Sequence, residues 1–101
     1  MTITVNLKGT IANIVLADGI DYATQEEFKA ANQQALSMKD ATEIQVDFTN
    51  ASFLDSAGIR ALLSLQNEAN KSGKSVVFLN CNNNIRSVFE IGGFDSVFKF
   101  R

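Results

Sequence analysis

Four consecutive apolar residues, Val76 to Leu79, lie between two segments of helical periodicity, and this feature constrains the fold most. A strand that is apolar on both faces is typical of the buried centre of a parallel sheet. Strands that alternate with helices through short connections imply right-handed crossovers and a mostly parallel sheet. The pattern therefore predicts an α/β fold.

The periodicity of the other segments predicts the order ββαβαβαβ. We expect strands at residues 3–7, 11–16, 44–48, 75–79 and 97–100, and helices at 24–40, from about 56 to 71, and up to Gly92-Gly93. The first two strands form a hairpin, and Thr24 with Glu27 has the spacing of a capping box. Residues 1–101 are thus expected to form one domain, with a mixed, mostly parallel sheet of about five strands and three main helices. The pattern leaves open whether the helices cover one or both sheet faces.

Composition excludes several classes of function. The chain carries a net charge of −2 and has no basic run, so it offers no cationic stripe to the phosphates of a nucleic acid. It has no histidine, the commonest general base and metal ligand, and only one cysteine. We therefore expect neither an enzyme nor a cofactor or metal site. The carboxylates that a metal site would need are interpreted as turn and cap residues: Asp18, Asp21, Asp47 and Asp55.

The same features indicate the compartment. The first residues lack the basic and apolar regions of a secretory signal, and the longest apolar run is far too short to span a membrane. We expect a cytoplasmic protein without membrane insertion. Cys81 is interpreted as a half-buried small hydrophobe, with a redox-sensing thiol as the alternative.

The most informative segment joins the third strand to the second helix. Asp55 and Ser56 fall at or beside the N-cap of this helix, where side-chain oxygens accept hydrogen bonds from free backbone N–H groups. A helix N-terminus also tolerates an anion, so the same position suits a phosphorylated serine. Capping alone and a phosphorylation switch are both compatible with this pattern.

The string from Phe53 to Ile59, Phe-Leu-Asp-Ser-Ala-Gly-Ile, resembles the D-S-x-G signature of the STAS family, specifically its bacterial anti-sigma factor antagonists. Gly19-Ile20-Asp21 is similar to the family's segment before the first helix, and residues 76–79 and 88–94 are similar to its fourth strand and last helix. Many members carry a second serine where this chain has Ala57, which leaves Ser56 as the one hydroxyl of the motif.

The resemblance implies a partner switch. The unphosphorylated protein would bind an anti-sigma factor that is a serine kinase of the GHKL type, phosphorylation of Ser56 would end binding, and a PP2C-type phosphatase would reverse it. The partner surface that the resemblance implies comprises Asp21, Asp55, Ser56, Ala57, Gly58 and Arg60. Two alternatives keep the fold: a regulator of a non-sigma output such as secretion, motility or a stress complex, and a STAS subunit of a membrane transporter.

Overall fold

Three helices and a five-stranded sheet make up the protein, which a computed structural model describes over residues 3–101. Residues 1 and 2, which belong to the domain predicted from the sequence, lie outside the described residues. The elements are β1 (Thr4–Lys8), β2 (Ile11–Val15), α1 (Gln25–Leu36), β3 (Glu43–Asp47), α2 (Ser56–Lys71), β4 (Ser75–Leu79), α3 (Asn83–Ile91) and β5 (Lys99–Phe100). The predicted order and fold class are confirmed.

The strands lie in the order β1-β2-β3-β4-β5. β1 and β2 form an antiparallel hairpin, and Gly9 provides the positive φ of 60° at its turn. The other neighbours pair in parallel, so that Val46 of β3 lies beside Ile14 of β2 and Phe78 of β4. The sheet is therefore mixed and mostly parallel, as the sequence predicts.

All three helices pack on one face of this sheet. Ile44 and Val46 of β3 are fully buried, whereas the alternating Glu43, Gln45 and Asp47 are only half-buried. The buried side chains on the helix-covered face form one core cluster with residues of α1, α2 and α3. Val77, on the opposite face of β4, is buried but lies outside that cluster. This settles the question that the sequence pattern left open.

Aromatic rings fill the core beneath α3. Phe89 lies 5.6 Å from Phe78 and 6.3 Å from Phe48, measured between ring centroids. Phe98 stacks against Phe78 at 4.7 Å. Buried aromatic side chains of this size contribute strongly to stability, and truncation of one to alanine costs about 3–5 kcal/mol. The aromatic cluster thus fixes α3 and the segment just before β5 against the sheet.

Three predicted details are wrong. β5 begins at Lys99 rather than at residue 97, because the N–H groups of Val97 and Phe98 donate to the carbonyl of Phe94 in a turn. The capping box does not form: Thr24 is the N-cap of α1, but its side chain makes no cap hydrogen bond and instead donates to Asp21 Oδ1 at 3.1 Å. Glu27 accepts a hydrogen bond from the backbone N–H of Ile3 at 3.0 Å. α1 also ends at Leu36 rather than near residue 40. Lys74 stabilises the turn that follows by donating to the carbonyl of Met38 at 2.9 Å.

Candidate functional site

Ser56 lies at the carboxyl edge of the sheet, where two loops run side by side. One loop follows β2 and the other follows β3. They pair through a parallel bridge between Ile20 and Leu54. The N–H of Ile20 donates to the carbonyl of Phe53, and the N–H of Asp55 donates to the carbonyl of Ile20, each at 3.2 Å. The start of α2 is therefore fixed by backbone contacts to a distant segment.

Asp55 connects the two loops with its side chain. It is the N-cap of α2, and Oδ1 accepts a hydrogen bond from the N–H of Gly58 at 3.1 Å. Its Oδ2 accepts from the N–H of Tyr22 at 3.2 Å. Since one carboxylate satisfies donors of both loops, Asp55 is a structural cap as well as part of the exposed surface.

Ser56 is the first residue of α2 and is exposed. The cap hydrogen bond at this helix is made by Asp55, so capping does not require the hydroxyl of Ser56. The helix that begins here has 16 residues, and its N-terminal dipole favours an anionic group. The geometry thus presents an accessible hydroxyl at a position that accommodates a phosphate.

Gly58 allows the first turn of α2 to lie against the other loop. A Cβ at this position would lie 2.6 Å from Leu54 Cδ1 and 2.7 Å from the carbonyl oxygen of Ile20. Gly19 meets a similar restriction, since its Cβ would lie 2.3 Å from the carbonyl oxygen of Phe53. Both contacts involve backbone atoms that cannot move aside cheaply, so each position requires glycine.

The remaining predicted site residues differ in exposure. Asp21 is half-buried, and its Oδ1 accepts from the N–H of Thr24 at 2.9 Å. Arg60 is exposed one turn after Ser56. Ala57 is 3% exposed. The structure therefore brings Asp21, Asp55 and Ser56 together at one edge, whereas Ala57 and Gly58 are buried beneath that surface.

Two further residues at this edge, Tyr22 and Ser52, were missed by the sequence analysis. Tyr22 is 77% exposed, although its backbone N–H is held by Asp55. Ser52 donates to Asp18 Oδ1 at 2.8 Å, a second side-chain link between the two loops. Asp18-Gly19 has the local sequence pattern of a turn. The hydrogen bonds of Tyr22 and Ser52, however, join segments that are far apart in sequence.

Two other titratable groups, Asp47 and Cys81, have shifted pKa values. Burial acts to raise the pKa of Asp47, but hydrogen bonds from the Thr49 hydroxyl, the Thr49 N–H and the Asn80 amide outweigh burial and lower this pKa. Burial raises the pKa of the half-buried Cys81 thiol to about 11. Within residues 3–101, no three acidic, cysteine or histidine side chains are grouped as metal ligands would be.

Comparison with known proteins identifies the family. A family model described as "Mlab, STAS domain" matches residues 3–99. The chain belongs to the STAS domain family. A STAS-domain containing protein of Pseudomonas aeruginosa is 26% identical over 92 residues, which cover 90% of this chain and 88% of that protein.

Solved structures share the fold. The anti-sigma factor antagonist SpoIIAA in its unphosphorylated form is 22% identical with a TM-score of 0.74, and the match covers 99% of this chain and 87% of that one. Its phosphorylated form, described as a Bacillus cell fate determinant, has a TM-score of 0.73 at 22% identity, with 99% and 91% covered. SLC26A9 is 20% identical with a TM-score of 0.76, and 87% of this chain matches only 17% of that chain. Among residues 3–101, no helix is both long and apolar enough to cross a membrane.

Proposed function

We propose that this protein is an anti-sigma factor antagonist of the partner-switching type, with residues 1–101 acting as one domain in the cytoplasm. Unphosphorylated, it binds an anti-sigma factor that is a GHKL-type serine kinase, and phosphorylation of Ser56 ends this binding. A PP2C-type phosphatase restores the binding form. The protein is a regulatory module rather than an enzyme. The observation that carries the proposal is the exposed Ser56 at the start of α2, where Asp55 already provides the cap.

The scaffold tolerates a phosphate on Ser56. Placing an anion at a helix N-terminus is favourable by about 0.3–1 kcal/mol at an exposed site. Ser56 is exposed, so a phosphate on its hydroxyl displaces no core residue. The hydrogen bonds that hold the two loops come from backbone groups, Asp55 and the Ser52–Asp18 pair, and none of them requires the Ser56 hydroxyl. Phosphorylation therefore changes the surface and leaves the fold intact.

The same phosphate changes the charge that a partner meets. Asp21 and Asp55 already make this edge acidic, and a phosphoserine adds roughly −1.5 to −2 charges at neutral pH. Arg60 lies one turn away, but an exposed ion pair contributes at most about 1 kcal/mol. A partner that pairs with the two carboxylates then faces excess negative charge and added bulk, so its affinity falls. Ala57 and Gly58 support this partner surface from below.

Binding to the candidate kinase from the same genome tests the proposal by calorimetry. We expect Ser56→Asp to weaken binding at least about tenfold, as loss of 1.4 kcal/mol would. Ser96→Asp is the matched control, since it adds the same charge at an exposed serine between α3 and β5. Equal affinity of wild type and Ser56→Asp would refute the switch.

A second candidate, a STAS subunit of a membrane transporter, is favoured by the match of this chain to a small part of SLC26A9. That match shows that the same fold occurs as one component of a much larger chain. Co-purification with a permease or an ABC ATPase, unaffected by Ser56→Asp, would favour this candidate. A regulator of a secretion, motility or stress complex would have the same Ser56 switch and would differ only in the effector that it controls.

A further inference from the structure

A cavity of about 120 Å³ lies between α1 and α2, outside the site at Ser56. Leu36 of α1 and Leu65 of α2 form apolar parts of its wall. The lining residues of α2 begin at Ala61, more than one turn after Ser56. This volume corresponds to roughly four water molecules at liquid density, which suits a very small organic ligand.

Asn32 lines this cavity and is the buried polar residue of the described core, with 4% of its surface exposed. Its Oδ1 receives no hydrogen bond from any atom of residues 3–101. An unpaired acceptor in a buried position destabilises a fold, so its presence calls for an explanation. Since Asn32 lines the cavity, rotation about its terminal amide torsion, which has a broad energy minimum, would present this oxygen to a ligand there. A ligand with an N–H donor would then satisfy it.

The two walls of the cavity carry opposite charges. Lys29 lies on α1 and Glu68 lies on α2. Each forms a weak pair on its own helix, Lys29 with Glu26 at 3.9 Å and Glu68 with Lys71 at 3.5 Å. Their side chains are 50% and 49% exposed, so both can turn toward a ligand at small cost.

We propose that this cavity binds a small zwitterion of the amino-acid type. Glu68 and Asn32 Oδ1 accept hydrogen bonds from the ammonium group, and Lys29 donates to the carboxylate. The leucines pack against a small apolar side chain such as a methyl group. This site is independent of the phosphorylation proposed for Ser56.

Nuclear magnetic resonance titration of the ¹⁵N-labelled full chain tests this site with glycine and L-alanine. We expect saturable shifts of the Asn32 side-chain amide and of neighbouring backbone amides. Acetate and methylammonium, each carrying one of the two charges, should bind at least about tenfold more weakly at the same ionic strength, because each loses one charged hydrogen bond.

Variants identify the groups that bind. Asn32→Leu should abolish saturation, and Lys29→Met or Glu68→Gln should each weaken binding about tenfold. Lys29 and Glu68 are at half-exposed positions, so these two variants retain the fold even if Asn32→Leu does not. Gln34→Ala, at an exposed position of α1 outside the cavity lining, is the matched control and should bind as wild type does. Shifts that rise linearly, or that are unchanged in Lys29→Met and Glu68→Gln, would overturn the proposal.

Discussion

Replacement of Gly58 by alanine should destabilise the protein, although alanine is the better helix former. The added Cβ would lie 2.6 Å from Leu54 Cδ1 and 2.7 Å from the Ile20 carbonyl oxygen. That oxygen accepts the hydrogen bond from Asp55, so it cannot retreat without loss of the loop pairing. Overpacking of this kind costs about 1–3 kcal/mol, and the helix propensity of alanine offsets about 1 kcal/mol. With a steric cost in the upper part of that range, the free energy of unfolding falls by roughly 1–2 kcal/mol after the gain in helix propensity is subtracted.

Urea denaturation measures this loss directly, and thermal unfolding provides a second measure. For a domain of this size, each 1 kcal/mol lowers Tm by roughly 4–8 °C. Asn67→Ala is the control, because Asn67 is exposed on the same helix and its replacement should raise stability by a few tenths of a kcal/mol, about the propensity difference. A Gly58→Ala variant that gains as much stability as Asn67→Ala would refute the close contact between the two loops.

Three other predictions concern the scaffold. Asp55→Ala should cost about 1–2 kcal/mol in urea denaturation, since it removes the cap and the link to Tyr22, and equal stability would contradict the cap. Because the pKa of Asp47 is lower in the folded protein than in the unfolded chain, the ionised carboxylate stabilises the fold at pH values above its unfolded-state pKa. This contribution is lost as the pH falls through the folded-state pKa. The stability advantage of wild type over Asp47→Asn should therefore shrink in acid, and an advantage that grows on acidification would contradict this sign. Cys81, whose pKa is about 11, should react slowly with iodoacetamide at pH 7 and faster as pH rises toward that value, whereas rapid modification at pH 7 would favour a redox thiol.

The strands and helices could be predicted because their signals are local. β4 has the predicted bounds, residues 75–79, and α2 ends at Lys71 just before Gly73. α1 was predicted too long because the turn after Leu36 depends on Lys74, a residue that reaches it only in the folded protein. The capping box failed for a similar reason, since Asp21 engages the Thr24 hydroxyl.

The site could be predicted only in part. Asp55 and Ser56 were placed at the start of a helix by the cap preferences of their side chains and by the resemblance to a known motif. The contact that holds Asp55 to Tyr22 joins residues 33 positions apart, and no periodicity within either segment indicates it. The requirement for glycine at position 19 likewise arises from Phe53 in the neighbouring loop. Pairing between two loops that are far apart in sequence cannot be predicted from the residues of either loop alone.

Intact mass spectrometry is a direct test of phosphorylation at Ser56. The full chain is incubated with the GHKL-type kinase encoded in the same genome and Mg-ATP, beside Ser56→Ala. We expect wild type to gain one phosphate and Ser56→Ala to gain none. Absence of modification in both proteins, or a phosphate on Ser56→Ala, would contradict a switch at Ser56.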